Sequence, residues 1–571
     1  MSGDDLTAGE EKVNASERAS YVPTWYTATM VPASARGPLT FDLDVDVCVV
    51  GAGLAGLTAA REIARRGWSV VVLEGRRIAW SASGRNDGFV LPGFAASMDR
   101  LISRVGLEHA KALWALSEMG LKYVRTTIAE ARMPGVAPIA GWLKASKVDN
   151  GEEVSATVEL YREELGAEVE AWSTERVREM LKTNHYFHAM HLPRAFHIHP
   201  LNYALGLAEL AEAAGARIFE DTPALAVDVE GVRKRIVTPS ARVRASHIVL
   251  AGNVHLGSLQ PRIAGTVVPI WSYTITTAPL GPRLAEAIAY RGAVTDTDLA
   301  NNHYRIIGND RLLWSGHTTT WEADPKRYVG RLKADMMAVY PQLGEVAVEH
   351  AWSGVLGNAL HRMPQIGELS PGLWLASAFG GHGLNTTAMA GNILAQAVVE
   401  GDDTWRLFAP FELVWAGGRL GRAAMQVFYW WFNGLERFEA RAARQREDED
   451  QRVAGRAARR EGDDEMDVEA RLGAVVPRAD LPEEPALAEL PADPIAPSEI
   501  VSPIKRESVD APLEASAQES FLRADLPDVS VVEDDAARSR PVPDARPKRP
   551  DRKSTRLNSS HRSLSRMPSS A

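Results

Sequence analysis

The sequence predicts an α/β fold, α+β over the whole chain, in which a Rossmann-type nucleotide-binding unit is joined to a mostly antiparallel β-sheet. Three observations carry this reading. A β-branched run, a GxGxxG turn and an amphipathic helix follow one another between Asp44 and Glu74. A second glycine-rich turn, Phe379-Gly380-Gly381-His382-Gly383-Leu384-Asn385, opens a small-residue helix late in the chain. Between them, His303 to Ile307 and Arg311 to Gly316 read as a hairpin across Gly308-Asn309-Asp310.

Val45 to Val50 suits a strand buried on both faces of a parallel sheet. Gly51 allows the tight turn after it, Gly53 lets the backbone approach a pyrophosphate, and Gly56 packs helix on strand. Leu54, Leu57, Ala60, Ile63 and Ala64 recur at helical spacing up to Arg66-Gly67, and Ser69 to Leu73 forms a second apolar run. The helix start turns its unpaired N–H groups to the phosphates. Glu74 is placed to accept hydrogen bonds from an adenosine ribose and argues against a 2′-phosphate. The nucleotide-binding candidates are therefore Gly51, Ala52, Gly53, Leu54, Ala55, Gly56 and Glu74, with Gly75 and Arg76 beside them. A glycine-rich turn without a ligand is the alternative, and the strand, the helix and the spaced acid weigh against it.

At 571 residues the chain has room for two domains with sizeable cores and for a tail. A net charge of −10 offers no basic stripe for nucleic acid. Cys48, the one cysteine, reads as a small buried apolar residue inside the first strand. The amino terminus, MSGDDLTAGEEK, is unlike a secretory signal or transit peptide, and no apolar run is long enough to span a bilayer. A cytoplasmic protein is expected.

In chain order, residues 1–20 are polar and expected to be disordered. Residues 21–40, with Trp25 and Tyr26 among prolines, read as an extended arm against the body. After the nucleotide unit comes Ala82 to Gly88, ASGRNDG, a polar loop in which Ser83, Arg85 and Asn86 can bond a pyrophosphate or a flavin edge. An ordinary surface loop is the alternative.

With the arm VPTWYTAT and the turn GAGLAGL, this SGRNDG loop resembles the flavin-dependent D-amino-acid oxidase superfamily, and within it the branch similar to γ-glutamylputrescine oxidase. The resemblance covers Tyr21 to about Arg441. It implies noncovalent FAD, with Ser83, Gly84, Arg85, Asn86 and Gly88 among its contacts. That branch usually shows a glycine where Asp87 stands, so this chain has an extra carboxylate near the expected flavin.

Met98 to about Met133 has helical apolar spacing, and Ala156 to Leu181 is acidic and reads as largely helical. A histidine-rich run follows, His185, His188, His191, His197 and His199, whose residue type can bind a metal. No nearby cysteine or carboxylate pair completes such a site, and cavity-lining or structural histidines are expected instead. Pro200 to Gly215 is an amphipathic helix. Strands around Ala224 to Val229 and Arg242 to Leu250 then reach Ala251-Gly252-Asn253. This return resembles the second crossover of related flavoproteins, in which Ala251 and Gly252 pass the cofactor again, and it makes the FAD domain discontinuous. Ile270 to Thr277 reads as a strand of the sheet that roofs the flavin. Tyr273, Tyr304 and Arg305 match positions facing or flanking the substrate pocket in the resembled branch; sheet residues packing in pairs are the alternative.

From His350 the chain reads HAWSG, His361-Arg362-Met363-Pro364, a strand at Leu373 to Ser377 and the second glycine-rich turn. N–H groups at such a turn suit flavin N1 and C2=O, where negative charge accumulates on reduction. The resemblance gives ring contacts to Gly380, Gly381, His382, Gly383 and Leu384 and includes Gly354 in the cofactor site. The catalytic candidates are His382, Tyr304, Arg305 and Tyr273. The aromatic run Phe428-Tyr429-Trp430-Trp431-Phe432 is expected in a helix capping the FAD domain, a membrane interface being the alternative. The closing KSTRLNSSHRSLSRMPSSA resembles a translated sequencing-adapter read-through.

The expected organisation places the FAD domain in residues 41–135, 199–266 and 350–405, and the substrate domain in 136–198 and 267–349. Helices over 406–441 and a disordered tail over 442–571 complete it. The resemblance implies oxidation of an amine C–N bond by hydride transfer to the flavin, hydrolysis of the imine and reoxidation by O2 to hydrogen peroxide. Two other readings stay open: a dehydrogenase acting on amines or amino acids with a quinone or carrier-protein acceptor, and a catalytically silent flavin-binding protein. Amino-acid oxidases of the superfamily commonly carry an arginine after the WxG element, where this chain has Val355-Leu356-Gly357. An unpaired carboxylate in a closed pocket costs roughly 3 to 5 kcal/mol, which points to a polyamine or acylated polyamine.

Overall fold

Two sheets organise the chain in a computed structural model that describes residues 20–257, 259–297, 302–427 and 431. The expected disorder of the amino terminus and of 442–571, and the aromatic run apart from Trp431, fall outside the described residues. In the first sheet the strands lie in the order Gln365–Ser370, Leu373–Ser377, Arg242–Leu250, Leu43–Val50, Val70–Leu73 and Arg217–Phe219. The last five run parallel. Val47 and Val49 share a core with Leu57 and Ile63 of the helix Leu54–Arg65, while Cys48 and Val50 share the opposite core with Ile248 and Leu250. Cover on both faces is the reason the second half of this strand, Val47 to Val50, has no polar alternation.

Small residues bring the helices together. A Cβ on Gly391, in the helix Gly383–Glu400, would stand 2.6 Å from Thr58 Cβ of Leu54–Arg65. One on Gly120, in Leu107–Ala131, would stand 2.2 Å from the Asn385 carbonyl oxygen. The two nucleotide-site helices are thus clamped to each other and to a third.

The second sheet runs Val348–Asn358, Val268–Thr277, Arg311–Thr319, His303–Ile307, Ala293–Asp296, Ile139–Ala145, Ala189–His197 and Phe89–Val90. It is antiparallel except where Ala293–Asp296 meets Ile139–Ala145. The expected hairpin is present, with Gly308 at φ +56° and Asn309 at φ +73° in its turn.

Four expectations are corrected. The strand Val348–Asn358 is an edge of the second sheet, so the chain recrosses after Asn358 and not at 350. Its alternation pairs it along Val268–Thr277, a partner that local reading of HAWSG does not show. Phe89–Val90 also belongs to the second sheet, within the stretch assigned to the FAD domain. Ala156 to Leu181 is broken at Gly166, φ +62°, into Gly151–Glu163 and a helix Thr174–Leu181 capped by Ser173, with the strand Glu170–Trp172 between them. The arm includes one helical turn, Trp25–Ala28, closed by a reciprocal cap between Thr24 and Thr27.

Candidate cofactor and substrate site

A cavity of about 570 Å³ lies between the two sheets. Gly53, Leu54 and Ala55 border it at one end and the turn Gly380 to Leu384 at another, with the loop Ser83 to Asp87 and Ala251 between them. Gly51 has φ +107°, and a Cβ there would stand 2.9 Å from the Ala251 carbonyl oxygen; only glycine fits this crossing. On Gly56 a Cβ would fall 2.0 Å from the Gly51 carbonyl oxygen, which is the close helix–strand approach its spacing predicts. Glu74 accepts hydrogen bonds from Ala52 N at 2.8 Å and Arg76 N at 3.0 Å. Burial raises its pKa and these amides oppose the rise. Gly75 lies against Pro223, and the Arg76 guanidinium stands 3.9 Å over the Trp80 ring.

The loop after the nucleotide unit is tied to itself and to both domains. Ser83 Oγ accepts from Leu54 N at 3.1 Å, and Asn86 donates to the Ala82 and Ser83 carbonyls while accepting from Gly88 N. Gly84 packs its backbone on Ala79. Arg85 donates to the Ser353 carbonyl at 3.2 Å beside Gly354 and stacks over Trp80 at 4.6 Å, and burial lowers its pKa to about 10. Its Nε is buried without a partner. Beyond Ala251 and Gly252, the Asn253 carboxamide oxygen accepts from Ala378 N at 3.1 Å, joining that crossover to the second glycine turn. Asn253 lines the cavity and was not among the predicted contacts.

At that turn Gly380 has φ +61°, and Gly381 and Gly383 face open space. Leu384 and His382 line the cavity. Burial, then Arg362, His303 and Lys144, lower the His382 pKa to about 4, so its ring is neutral near pH 7. His382 Nδ1 is buried without a partner. Unpaired nitrogens on Arg85 and His382, two glycine-opened helix starts and a paired ribose-side acid fit a dinucleotide carrying a heteroaromatic ring.

Three catalytic candidates do not reach this cavity. Along Val268–Thr277, Ile270, Ser272 and Thr274 line it, so Tyr273 turns to the other face, stacks on Tyr328 at 3.9 Å and bonds Thr319 Oγ1 at 2.8 Å. Tyr304 likewise stacks on Trp314 and pairs its hydroxyl with that of Tyr340 at 2.9 Å. Arg305 is 4 % exposed, bound to His197 Nδ1 at 2.7 Å and Tyr26 Oη at 2.9 Å beneath the arm. The residue that does face the cavity is His303, one position before Tyr304. Its Nδ1 lies 3.1 Å from Thr295 Oγ1, which accepts from Trp142 Nε1 at 3.0 Å. Trp142 and Thr295 line the cavity as well. No sequence signal marked His303 or Thr295, because which parity of a strand faces inward depends on its partners.

The histidine run is dispersed among structural tasks. His188 meets Asp149 and His191 meets Glu170, each at 2.9 Å; His185 packs on Tyr186. His197 Nε2 meets the Arg291 carbonyl at 3.1 Å, and His199 caps the helix Pro200–Ala213 by accepting from Asn202 N at 3.1 Å.

A dinucleotide cradle on a split parallel sheet, closed by an antiparallel sheet over the cavity, defines a two-sheet flavin-binding oxidoreductase. The chain belongs to the FAD dependent oxidoreductase (DAO) family, whose profile matches residues 46–397. FAD is accordingly its cofactor. The chain is 29% identical over 414 residues to a probable oxidoreductase OrdL of Haemophilus influenzae, covering 70% of this chain and 94% of the relative. It is 29% identical over 392 residues to a gamma-glutamylputrescine oxidoreductase of Escherichia coli, covering 66% and 90%. Among solved structures it superposes on a glycine oxidase from Geobacillus kaustophilus with TM-score 0.56 at 19% identity, over 65% of this chain and 99% of that one. An L-proline dehydrogenase from P. horikoshii gives 0.54 at 18% identity, over 65% and 100%. These two likenesses show the fold. Among the described residues, no helix is long and apolar enough to cross a membrane.

Proposed function

We propose that this chain oxidises a C–N bond of an amine, of polyamine or acylated-polyamine type, to an imine that water hydrolyses. When bound, FAD supplies the hydride acceptor, and O2 is the terminal acceptor, giving hydrogen peroxide. The observation that carries the reading is the charge pattern of the cavity. Leu356 and Gly357, which follow Trp352-Ser353-Gly354, bring no cation to its wall, and Arg305 is held elsewhere. The cations that do line the cavity, Arg85, Arg100, Lys144 and Arg362, come from other elements, and Arg362 lies beside His382, at the end where the glycine turn opens its helix. Asp87 is the one carboxylate among the described lining residues.

The chain's residues then divide the work. Asp87 accepts the Ser315 hydroxyl proton at 2.5 Å, and Ser315 is paired in turn with Thr274. A carboxylate fixed in this way suits the amine end of the substrate, holding the donor carbon in one orientation. Phe89, Leu91 and Trp142 provide apolar walls that exclude water from that end. His382, neutral near pH 7, holds its proton on one nitrogen at the helix start. The name of the Escherichia coli relative supports the substrate class.

Anaerobic stopped-flow mixing tests the reading. Putrescine-type amines should bleach the flavin faster than glycine, sarcosine or D-alanine; faster bleaching by the amino acids would overturn it. Mixing the reduced protein with air-saturated buffer then separates oxidase from dehydrogenase, and rapid return of the yellow colour is expected.

A further inference from the structure

A helix over 418–427 turns its apolar side outward. Leu420 is 84% exposed and Val427 59%, and Ala423 and Ala424 between them are exposed as well. Trp431, 72% exposed, falls on the same face by helical spacing. The opposite side is polar and held. Gln426 is buried, and its Oε1 accepts from Thr320 N at 2.8 Å, while the Arg422 carbonyl accepts from Thr320 Oγ1 at 3.0 Å. Surface helices ordinarily bury their apolar stripe. Here bonding to the second sheet commits the polar stripe to the body, and Leu420, Val427 and Trp431 join no hydrophobic cluster of the described residues. We propose that this outward face docks on a lipid bilayer that carries anionic headgroups. The proposal goes beyond the amine reading and does not rest on it.

Composition and charge select that occupant. Trp415, 70% exposed, extends the apolar surface; its ring stands against Gly265, and its neighbour Ala416 packs on Val268 and Ile270. Ile270 also lines the cavity, so the docking face adjoins the site. Exposed indole rings beside leucine match the headgroup level of a bilayer, which accommodates both an apolar body and a polar N–H. Arg419 is exposed on the helix, and the Arg422 pKa is lowered by burial and then by Arg419 beside it. Arg262 is exposed on the turn Pro261–Ala264, next to Gly265 and Trp415. Among the described residues none of these arginines makes an ion pair. Glu412 is the only acid between Phe411 and Leu435, so a chain of net charge −10 presents a locally basic apolar face. A second copy would bring the same arginines to both sides of a two-fold contact, where like charges repel. Anionic headgroups pair with all of them.

The test is co-sedimentation of the full-length, FAD-loaded protein with vesicles of phosphatidylcholine alone and with vesicles containing about one third phosphatidylglycerol. Partition into the anionic vesicles should exceed that into the neutral ones about tenfold or more at low salt, and should fall as salt rises. A chain carrying both Leu420→Ser and Val427→Ser should lose about tenfold in partition, and Arg419→Gln about fivefold, while Arg419→Lys keeps the wild-type value. The flavin-to-protein ratio should stay unchanged in each, because these side chains are exposed and outside the core clusters. Wild-type protein left in the supernatant by anionic vesicles, or partition that neither the double variant nor Arg419→Gln lowers, would overturn the proposal. Sedimentation equilibrium without lipid adds a second measurement. A dimer that the double variant dissociates, in a chain that ignores vesicles, would assign the face to a second copy. Vesicle binding confined to a chain truncated after Glu447 would assign it to the chain's own tail, and either result would overturn docking by the full chain.

Discussion

Glu74, at the end of the second strand, accepts a hydrogen bond from Ala52 N at 2.8 Å, inside the glycine turn that follows the first strand. One carboxylate thus braces the glycine turn from the end of the neighbouring strand. Glu74→Ala should leave Ala52 N and Arg76 N unpaired, remove the ribose acceptor and weaken FAD affinity tenfold or more, about 1.4 kcal/mol or above. Gly56→Val should empty the site more completely, since its Cβ would overlap the Gly51 carbonyl. Flavin-to-protein ratios after dialysis check both, and full occupancy in either variant refutes the assignment.

FAD should be noncovalent. Cys48, the only thiol, is fully buried on the face of the first strand shared with Ile248 and Leu250, and burial pushes its pKa up. Acid precipitation is expected to leave the yellow colour in the supernatant; colour in the pellet would contradict this.

Protonation of His199 should destabilise the protein. Its pKa is lowered to about 3 by burial, then by Arg305, and its Nδ1 must stay unprotonated to accept from Asn202 N. Because the folded value lies below the unfolded one, the stability this histidine confers is complete above about pH 6.5 and is lost as pH falls toward 3. The slope is about 1.4 kcal/mol per pH unit within that window. His199→Asn keeps a capping side chain, so its melting temperature should fall less between pH 7.5 and pH 5 than that of the wild type. Parallel curves would show that His199 does not titrate this way.

Tyr273→Phe and Tyr304→Phe should change the rate of anaerobic flavin reduction by less than about twofold while lowering stability by about 1 kcal/mol, since each removes one buried hydrogen bond between hydroxyls. Urea unfolding midpoints and stopped-flow traces separate the two effects. A tenfold loss of rate at unchanged stability would return these tyrosines to the site.

Truncation after Glu447 should leave flavin content and turnover unchanged. The hydrophobic clusters of the described residues draw on nothing beyond Ala416. Loss of soluble, flavin-loaded protein on truncation would show that the tail contributes to the core.

The cofactor cradle was legible because its constraints are local. Gly51, Gly53 and Gly56 are spaced by the geometry of a single strand, turn and helix, and the hairpin by the short glycine-bearing turn Gly308-Asn309-Asp310. A second glycine-rich turn ahead of a small-residue helix, some three hundred residues after the first, pointed to the same cavity, and the packing of Gly391 on Thr58 shows why that second helix is small-sided. Determined by sequence alone, then, were the two sheet types, the split cradle and the family. The substrate face was decided by tertiary structure. Tyr304 and His303 differ by one residue, and a strand turns successive side chains to opposite faces, so parity has no meaning until the register with Ala293–Asp296 and Arg311–Thr319 is set. Lys144, Thr295, His303, Ser315 and Thr274 stand side by side on five strands drawn from distant parts of the chain, and only hydrogen-bonded pairing between those strands brings them into line.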